Sequence, residues 1–164
     1  MVKYLLDTNI FIQSDKVSYP IDVFPSLWDW LDSELSKGEI ASIRLVADEI
    51  LKGNDDLSIR VKRIKSSKCF HALDDLETQE KFKQISEWAN SSARKYNALA
   101  KKVFLSNADS WLIAKAAAIG AKIVTYETSS KESINSIKIP DVANVFGVNC
   151  INIVDLLRER NIKF

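Results

Sequence analysis

The near-continuous apolar run from Val2 to Leu6 stops abruptly at Asp7, and the apolar pattern resumes at Ile10-Phe11-Ile12. A run apolar on both faces predicts a buried strand of a parallel sheet. Residues 13–20 are polar and broken by Pro20. From Pro25 to Lys37, Leu27, Trp30, Leu31 and Leu35 recur at three- and four-residue steps, which predicts a helix, and Gly38 supplies its stop. Ile40 to Leu45 predicts a second strand, and Val46 to Leu51 a helix ending before Gly53.

Residues 55–103 read as entirely helical. Leu57, Val61 and Ile64 mark one helix, and Phe82, Ile85, Ala89, Ala93, Tyr96, Leu99 and Val103 mark a single longer amphipathic one. Asn107 is placed to cap a further helix, Ala108 to Ile119, which ends at Gly120. Ala121 to Thr125 and Val148 to Val154 predict two more strands, and Asp155 to Arg160 a final short helix. Strands alternating with helices predict one α/β domain over residues 1–164. Its parallel sheet is covered on both faces and carries a helical segment near the middle.

That order gives the acidic residues a meaning. In a parallel sheet all carboxyl ends of the strands lie on one edge, and open α/β sheets bind ligands there. Asp7 closes the first strand, Glu49 is expected in the first turns of the helix after the second, Asp109 opens the Ala-rich helix, and Glu127 follows the strand ending at Thr125. All four carboxylates are therefore expected in one cleft. Crowded carboxylates repel one another, and one of them stays protonated unless a cation intervenes. Hard oxygen donors suit Mg²⁺ or Mn²⁺, which orient and deprotonate a water for attack on a phosphodiester. Such chemistry needs no histidine, and the chain has one, His71.

Composition narrows the partners. With 46% hydrophobic and 27% charged residues, the chain is an ordinary globular one, and a net charge of +1 leaves any polyanion site to local clustering. Arg60, Lys62, Arg63, Lys65 and Lys68 form such a cluster and are the expected RNA-binding face; Arg94, Lys95, Lys101 and Lys102 form a second basic group. Trp28, Trp30, Trp88 and Trp111 fall on apolar stripes and are expected in the core. Cys69 and Cys150 are too sparse for a disulfide framework or a zinc spacing, which fits a reducing, cytoplasmic setting. No apolar run reaches membrane-spanning length and no signal-peptide pattern opens the chain.

Leu5-Leu6-Asp7-Thr8-Asn9-Ile10, Val46-Ala47-Asp48-Glu49-Ile50 and Ala108-Asp109-Ser110-Trp111-Leu112-Ile113-Ala114, followed by Gly120-Ala121-Lys122-Ile123-Val124-Thr125, resemble the motifs of the PIN-domain family. The likeness is weak between residues 54 and 105. The resemblance implies a three-layer α/β/α sandwich and Mg²⁺- or Mn²⁺-dependent endonucleolytic cleavage of RNA. Asp7, Glu49, Asp109 and Glu127 would be the metal-binding acids, with Asn9 and Thr125 as polar supports. It also implies a toxin held inactive by a cognate antitoxin protein; a homodimer is the default assembly. The fourth motif departs from the family, with Tyr126-Glu127 where an aspartate is usual, and Glu132 and Asp141 compete for that role. Two other readings are an inactive PIN-like module that binds nucleic acid or protein, and a haloacid-dehalogenase-like phosphatase. The second requires an aspartate where Asn9 stands.

Overall fold

The computed structural model describes residues 1–64, 69–91 and 94–164. Five parallel strands, β1 (Tyr4–Leu6), β2 (Ile40–Ile43), β3 (Phe70–His71), β4 (Lys122–Val124) and β5 (Cys150–Ile151), lie in the order β3-β2-β1-β4-β5. Helices on both faces complete a three-layer α/β/α sandwich. Leu5, Leu6, Ile40, Ala41, Ile43, Ile123 and Val124 are all fully buried, as two covered faces require. Register is set by Leu5 beside Ala41 on one side and beside Ile123 on the other. Because β2 and β4 flank β1 on opposite sides, the chain order reverses at β1, and a crevice opens at its carboxyl end.

The chain enters helix α1 (Thr8–Gln13) directly from Asp7 and widens into a π-helical turn over Ser14–Ser18, within the polar stretch before Pro20. α2 (Pro25–Lys37) starts with its proline and ends at Gly38, whose φ of +83° is the left-handed conformation that glycine adopts freely. α3 (Arg44–Ile50) and α4 (Asp56–Ile64) follow β2.

The middle of the chain is not entirely helical. Phe70 and His71 form β3, pairing with Ser42 and Ile43 at one border of the sheet. A two-residue strand has no period of its own and exists only because β2 offers an edge. The expected long helix is two: α5 (Leu76–Asn90) and α6 (Ala98–Ser106). Asn97 makes the break, its Oδ1 accepting from the Ala100 amide at 2.8 Å and starting a new helix. Ala93, assigned to the stripe, lies outside the described residues. After α7 (Ala108–Ile119) and β4, an unexpected helix α8 (Ile139–Val145) takes in Asp141. The last strand is shorter than expected, because Asn152 caps α9 (Ile153–Glu159) with a bond from the Asp155 amide at 2.9 Å.

α7 lies against β1, β2 and β4 and carries α5 and α6 outside it. Phe82 and Trp111 stack across the α5–α7 seam with ring centres 3.7 Å apart. One turn further on, Lys115, only 7% exposed, meets Asp75 at 2.6 Å. Asp75 also caps α5, accepting from the Thr78 amide and hydroxyl, each at 2.9 Å. These bonds outweigh desolvation and hold the Asp75 carboxyl down at about 2. Trp28 is buried in the core, while Trp30, Trp88 and Trp111 pack against it from partly exposed positions. Among the described residues, no helix is long and apolar enough to cross a membrane.

Asp75→Ala should cost roughly 1–3 kcal/mol, at the low end for a broken buried pair because Asp75 itself is half exposed. Lys115→Met, which keeps the bulk and removes the cation, should cost less. Urea denaturation at neutral pH orders the two variants. The depressed carboxyl stabilises fully above its unfolded value of about 4 and loses that contribution as pH falls toward about 2. The gap between wild type and Asp75→Ala should therefore close over that window.

Candidate active site: four carboxylates at the carboxyl edge

Asp7 is built into the sheet. Its amide donates to the Val124 carbonyl at 3.0 Å, continuing the β1–β4 ladder one residue past the strand. Its side chain, 1% exposed, accepts a hydrogen bond from Thr125 Oγ1 at 2.8 Å. The same Thr125 oxygen accepts from the Glu127 amide at 3.0 Å, which turns the chain so that Glu127 comes back over the edge. Thr125 thus occupies the supporting position. Asn9 does not share it through its side chain, which is exposed; its backbone amide and that of Thr8 add to the Thr125 bond in favouring the ionised Asp7 carboxylate.

Glu49 arrives differently from what the sequence suggests. α3 begins at Arg44, so Glu49 falls in its last turn, where the helix dipole disfavours an acid. It is held by tertiary partners instead: Thr8 Oγ1 donates to Oε2 at 2.5 Å, and the Ala108 amide donates to Oε1 at 3.3 Å. Asn107 stands at the α7 N-cap position but makes no side-chain capping bond, and Glu49 meets that helix end in its place. Asp109, in the first turn of α7, accepts no side-chain hydrogen bond among the described residues.

Glu127 has one oxygen on the Ile139 amide at 2.7 Å, at the start of α8, and the other 3.5 Å from Lys138 Nζ. The rival acids lie elsewhere. Asp141 holds the loop after Glu127, accepting from the Ser129 hydroxyl and from the Ser130 amide at 3.0 Å. Glu132 is exposed beside a separate cavity. Tyr126 has a structural role, its hydroxyl 3.0 Å from Ser14 Oγ in the π-helical turn.

The edge is electrostatically crowded. Burial lifts the Asp109 carboxyl to about 7, and the charges of Asp7, Glu127 and Glu49 add to the rise against a smaller opposing pull from Lys138. Burial also lifts Asp7 to about 6, despite its Thr125 bond and with a further push from Glu127. Cys150, on β5, is pushed up to about 11 by burial and the same two acids, so its thiol stays protonated. His71 is pushed down by burial and by Lys115; it belongs to the Lys115–Asp75 cluster.

All four predicted acids are thus brought to one edge, close enough to act on one another. Among the described residues no three Asp, Glu, His or Cys side chains form a closed metal-ligand set, because Glu49 and Glu127 are turned onto helix amides. The donor chemistry nonetheless fits a hard divalent cation: every candidate ligand is a carboxylate oxygen, and among the described residues Asp109 accepts no hydrogen bond and feels only a small pull from Lys138.

Of the predicted basic face, Arg60, Lys62 and Arg63 are among the described residues. Arg60 is an internal clamp between α4 and α2, its guanidinium 2.7 Å from Asp29 and 2.8 Å from Asp32. Lys62 and Arg63 are exposed on the last turn of α4. Cys69 Sγ contacts the Ile64 carbonyl at 3.5 Å, which puts that turn beside the start of β3, at the opposite edge of the sheet from the carboxylates. Lys65 and Lys68 lie outside the described residues. The sequence reading missed Lys138, because a lone lysine near Pro140 carries no local pattern; only the turn at Thr125 brings it to Glu127.

The chain matches, over residues 4–164, the family model described as a domain of unknown function (DUF4411), and it belongs to that family. No curated protein and no solved structure matches it.

Asp109→Asn removes one charge from the crowd. Because the folded value lies above the unfolded one, the folded state holds a proton between about pH 4 and 7 that the unfolded chain has released. Stability therefore falls as pH rises through that window. In metal-free buffer at neutral pH the variant should be more stable by on the order of 1–3 kcal/mol, with the gain vanishing toward about pH 4. Destabilisation at neutral pH in thermal melts would show that Asp109 has a compensating partner.

Proposed function

We propose that this DUF4411 chain is a PIN-like, Mg²⁺- or Mn²⁺-dependent endoribonuclease. The observation that carries the reading is Asp109: a carboxyl lifted to about 7 at the head of α7, without a hydrogen bond among the described residues and surrounded by Asp7, Glu49 and Glu127. Such a site costs stability in the absence of a counter-cation. Asp7, Glu49, Asp109 and Glu127 are the residues that would hold a divalent ion. When bound, that ion supplies positive charge to phosphodiester oxygens and lowers the pKa of a water. Around it, Thr125 orients Asp7, Thr8 and the α7 amide orient Glu49, and Lys138 adds a positive group beside Glu127.

The crevice position supports the reading, since β1 lies where the strand order reverses and ligands of open α/β sheets collect there. The motif resemblance extends it to a cytoplasmic toxin whose cleavage of RNA is silenced by a cognate antitoxin. Glu127 favours a second reading: its carboxylate is already bonded to the Ile139 amide and faces Lys138, as in a PIN-like module that binds without cutting.

Incubation of a mixed RNA pool with Mn²⁺, Mg²⁺ or chelator separates the two. Cleavage is expected with either metal and not with chelator. Asp7→Asn or Asp109→Asn should slow it by at least about 100-fold with the circular dichroism spectrum unchanged. Metal should also raise the melting temperature of the wild type and not that of Asp7→Asn. Absence of cutting in every condition, or equal cutting by a variant, gives the site to the binding module.

A further inference from the structure

Residues 94–97, before α6, and the loop between β4 and α8 meet beside the carboxylates, and a cavity opens on each side of their junction. The Asn97 amide donates to the Ile134 carbonyl at 2.9 Å, and Asn97 Nδ2 donates to Asn135 Oδ1 at 2.8 Å. On one side, a cavity of about 280 Å³ has Asp109, Glu127 and Lys138 among its lining residues and Leu99 and Val103 of α6 in its wall. On the other, a cavity of about 240 Å³ is lined by Arg94, Lys95 and Lys131, with Glu132 as the opposing acid.

Three features of this pair are unusual for a bare surface. Leu99 and Val103 are 69% and 47% exposed, an apolar wall left in water next to a carboxylate cluster. Asn135 has a determined orientation: Asn97 Oδ1 is committed to the Ala100 amide, so Asn97 Nδ2 donates, Asn135 Oδ1 accepts, and the Asn135 Nδ2 protons remain to donate outward. Arg94 is held over the Trp88 ring at 4.6 Å, which fixes one of the three cations.

We infer that the two cavities together form a subsite for single-stranded RNA. Arg94, Lys95 and Lys131 take a backbone phosphate, and the Leu99–Val103 wall with the Asn135 amide takes the neighbouring base. Unstacked bases are bound by apolar or aromatic contact and edge hydrogen bonds, and phosphates by clustered cations, so the cavities offer both halves of a nucleotide next to the acids. An acidic peptide satisfies the cations and leaves the amide donors and the exposed apolar wall unused. The identity of the ligand rests on the ribonuclease reading; the cations and the wall are separate from the four carboxylates.

The test is fluorescence anisotropy of a labelled ten-nucleotide single-stranded RNA in chelator, so that nothing is cut. Lys95→Ala with Lys131→Ala should weaken binding about tenfold near 0.1 M salt and flatten the log–log salt slope by up to about 0.7, the effect of one lost phosphate contact. Leu99→Ser should weaken binding several-fold without changing the slope, and Lys62→Ala with Arg63→Ala should change neither. The subsite is overturned by wild type that does not bind the RNA, by an unchanged slope in the Lys95/Lys131 variant, or by equal loss in the Lys62/Arg63 variant. A polyglutamate peptide that binds there uncontested by RNA also overturns it. Binding that depends on Lys95 and Lys131 in a protein that never cleaves keeps the subsite and sinks only the nuclease reading. Metal-dependent cleavage with unaltered affinity in the Lys95/Lys131 variant does the reverse.

Discussion

The hydrogen bond from Thr125 to Asp7 is the interaction on which the carboxyl edge depends. It joins the residue after β4 to the residue after β1, two strands that are neighbours in space and 118 positions apart in the chain. A carboxylate 1% exposed at the end of a buried strand has lost most of its hydration, and an unpartnered one would be driven to protonate or to leave. The Thr125 hydroxyl offsets part of that loss. By also accepting from the Glu127 amide, it sets the turn that brings the fourth acid into the cleft. One hydroxyl therefore couples sheet register to site composition.

The same edge is where the fold is least relaxed. Asp7 and Asp109 both sit above the ordinary carboxylate range, whereas Asp75, engaged by Lys115 and Thr78, sits well below it. Asp7 has hydroxyl and amide donors but no paired cation, Asp109 accepts no hydrogen bond among the described residues, and Asp75 has the Lys115 ammonium. Glu49 and Glu127 are each turned onto the amide at the start of a helix. A helix start is a weak cation equivalent, so these two bonds lessen the repulsion and at the same time pull the carboxylates out of a closed ligand set.

Charge is sorted between the two edges of the sheet. The exposed cations at the end of α4 stand beside the start of β3, while Lys138 stands with the acids, and Arg94, Lys95 and Lys131 line the adjoining cavity. Arg60, more buried than Lys62 and Arg63, closes α4 onto α2 through Asp29 and Asp32. A near-neutral chain thereby sets basic residues next to its carboxylates.

Much of this was legible before folding. The uninterrupted apolar run into Asp7, the 3.6-residue stripes, and the glycine stops at Gly38 and Gly120 establish the α/β class, and acids after strands or at the head of α7 mark candidate carboxylates. Those signals are local: period, turn chemistry and burial of a run need only neighbours in the chain. What tertiary structure alone decided needs a partner far along it. Phe70–His71 became a strand because β2 left an edge to pair with, and Glu49 reached the cleft through Thr8 and α7. Arg60 was withdrawn from the surface by Asp29 and Asp32, and Lys138 was delivered to Glu127 by a turn at Thr125. Hydrogen bonds and ion pairs act over a few ångströms and are indifferent to chain separation, so a pattern along one chain identifies the residue types present and leaves their pairings to the fold.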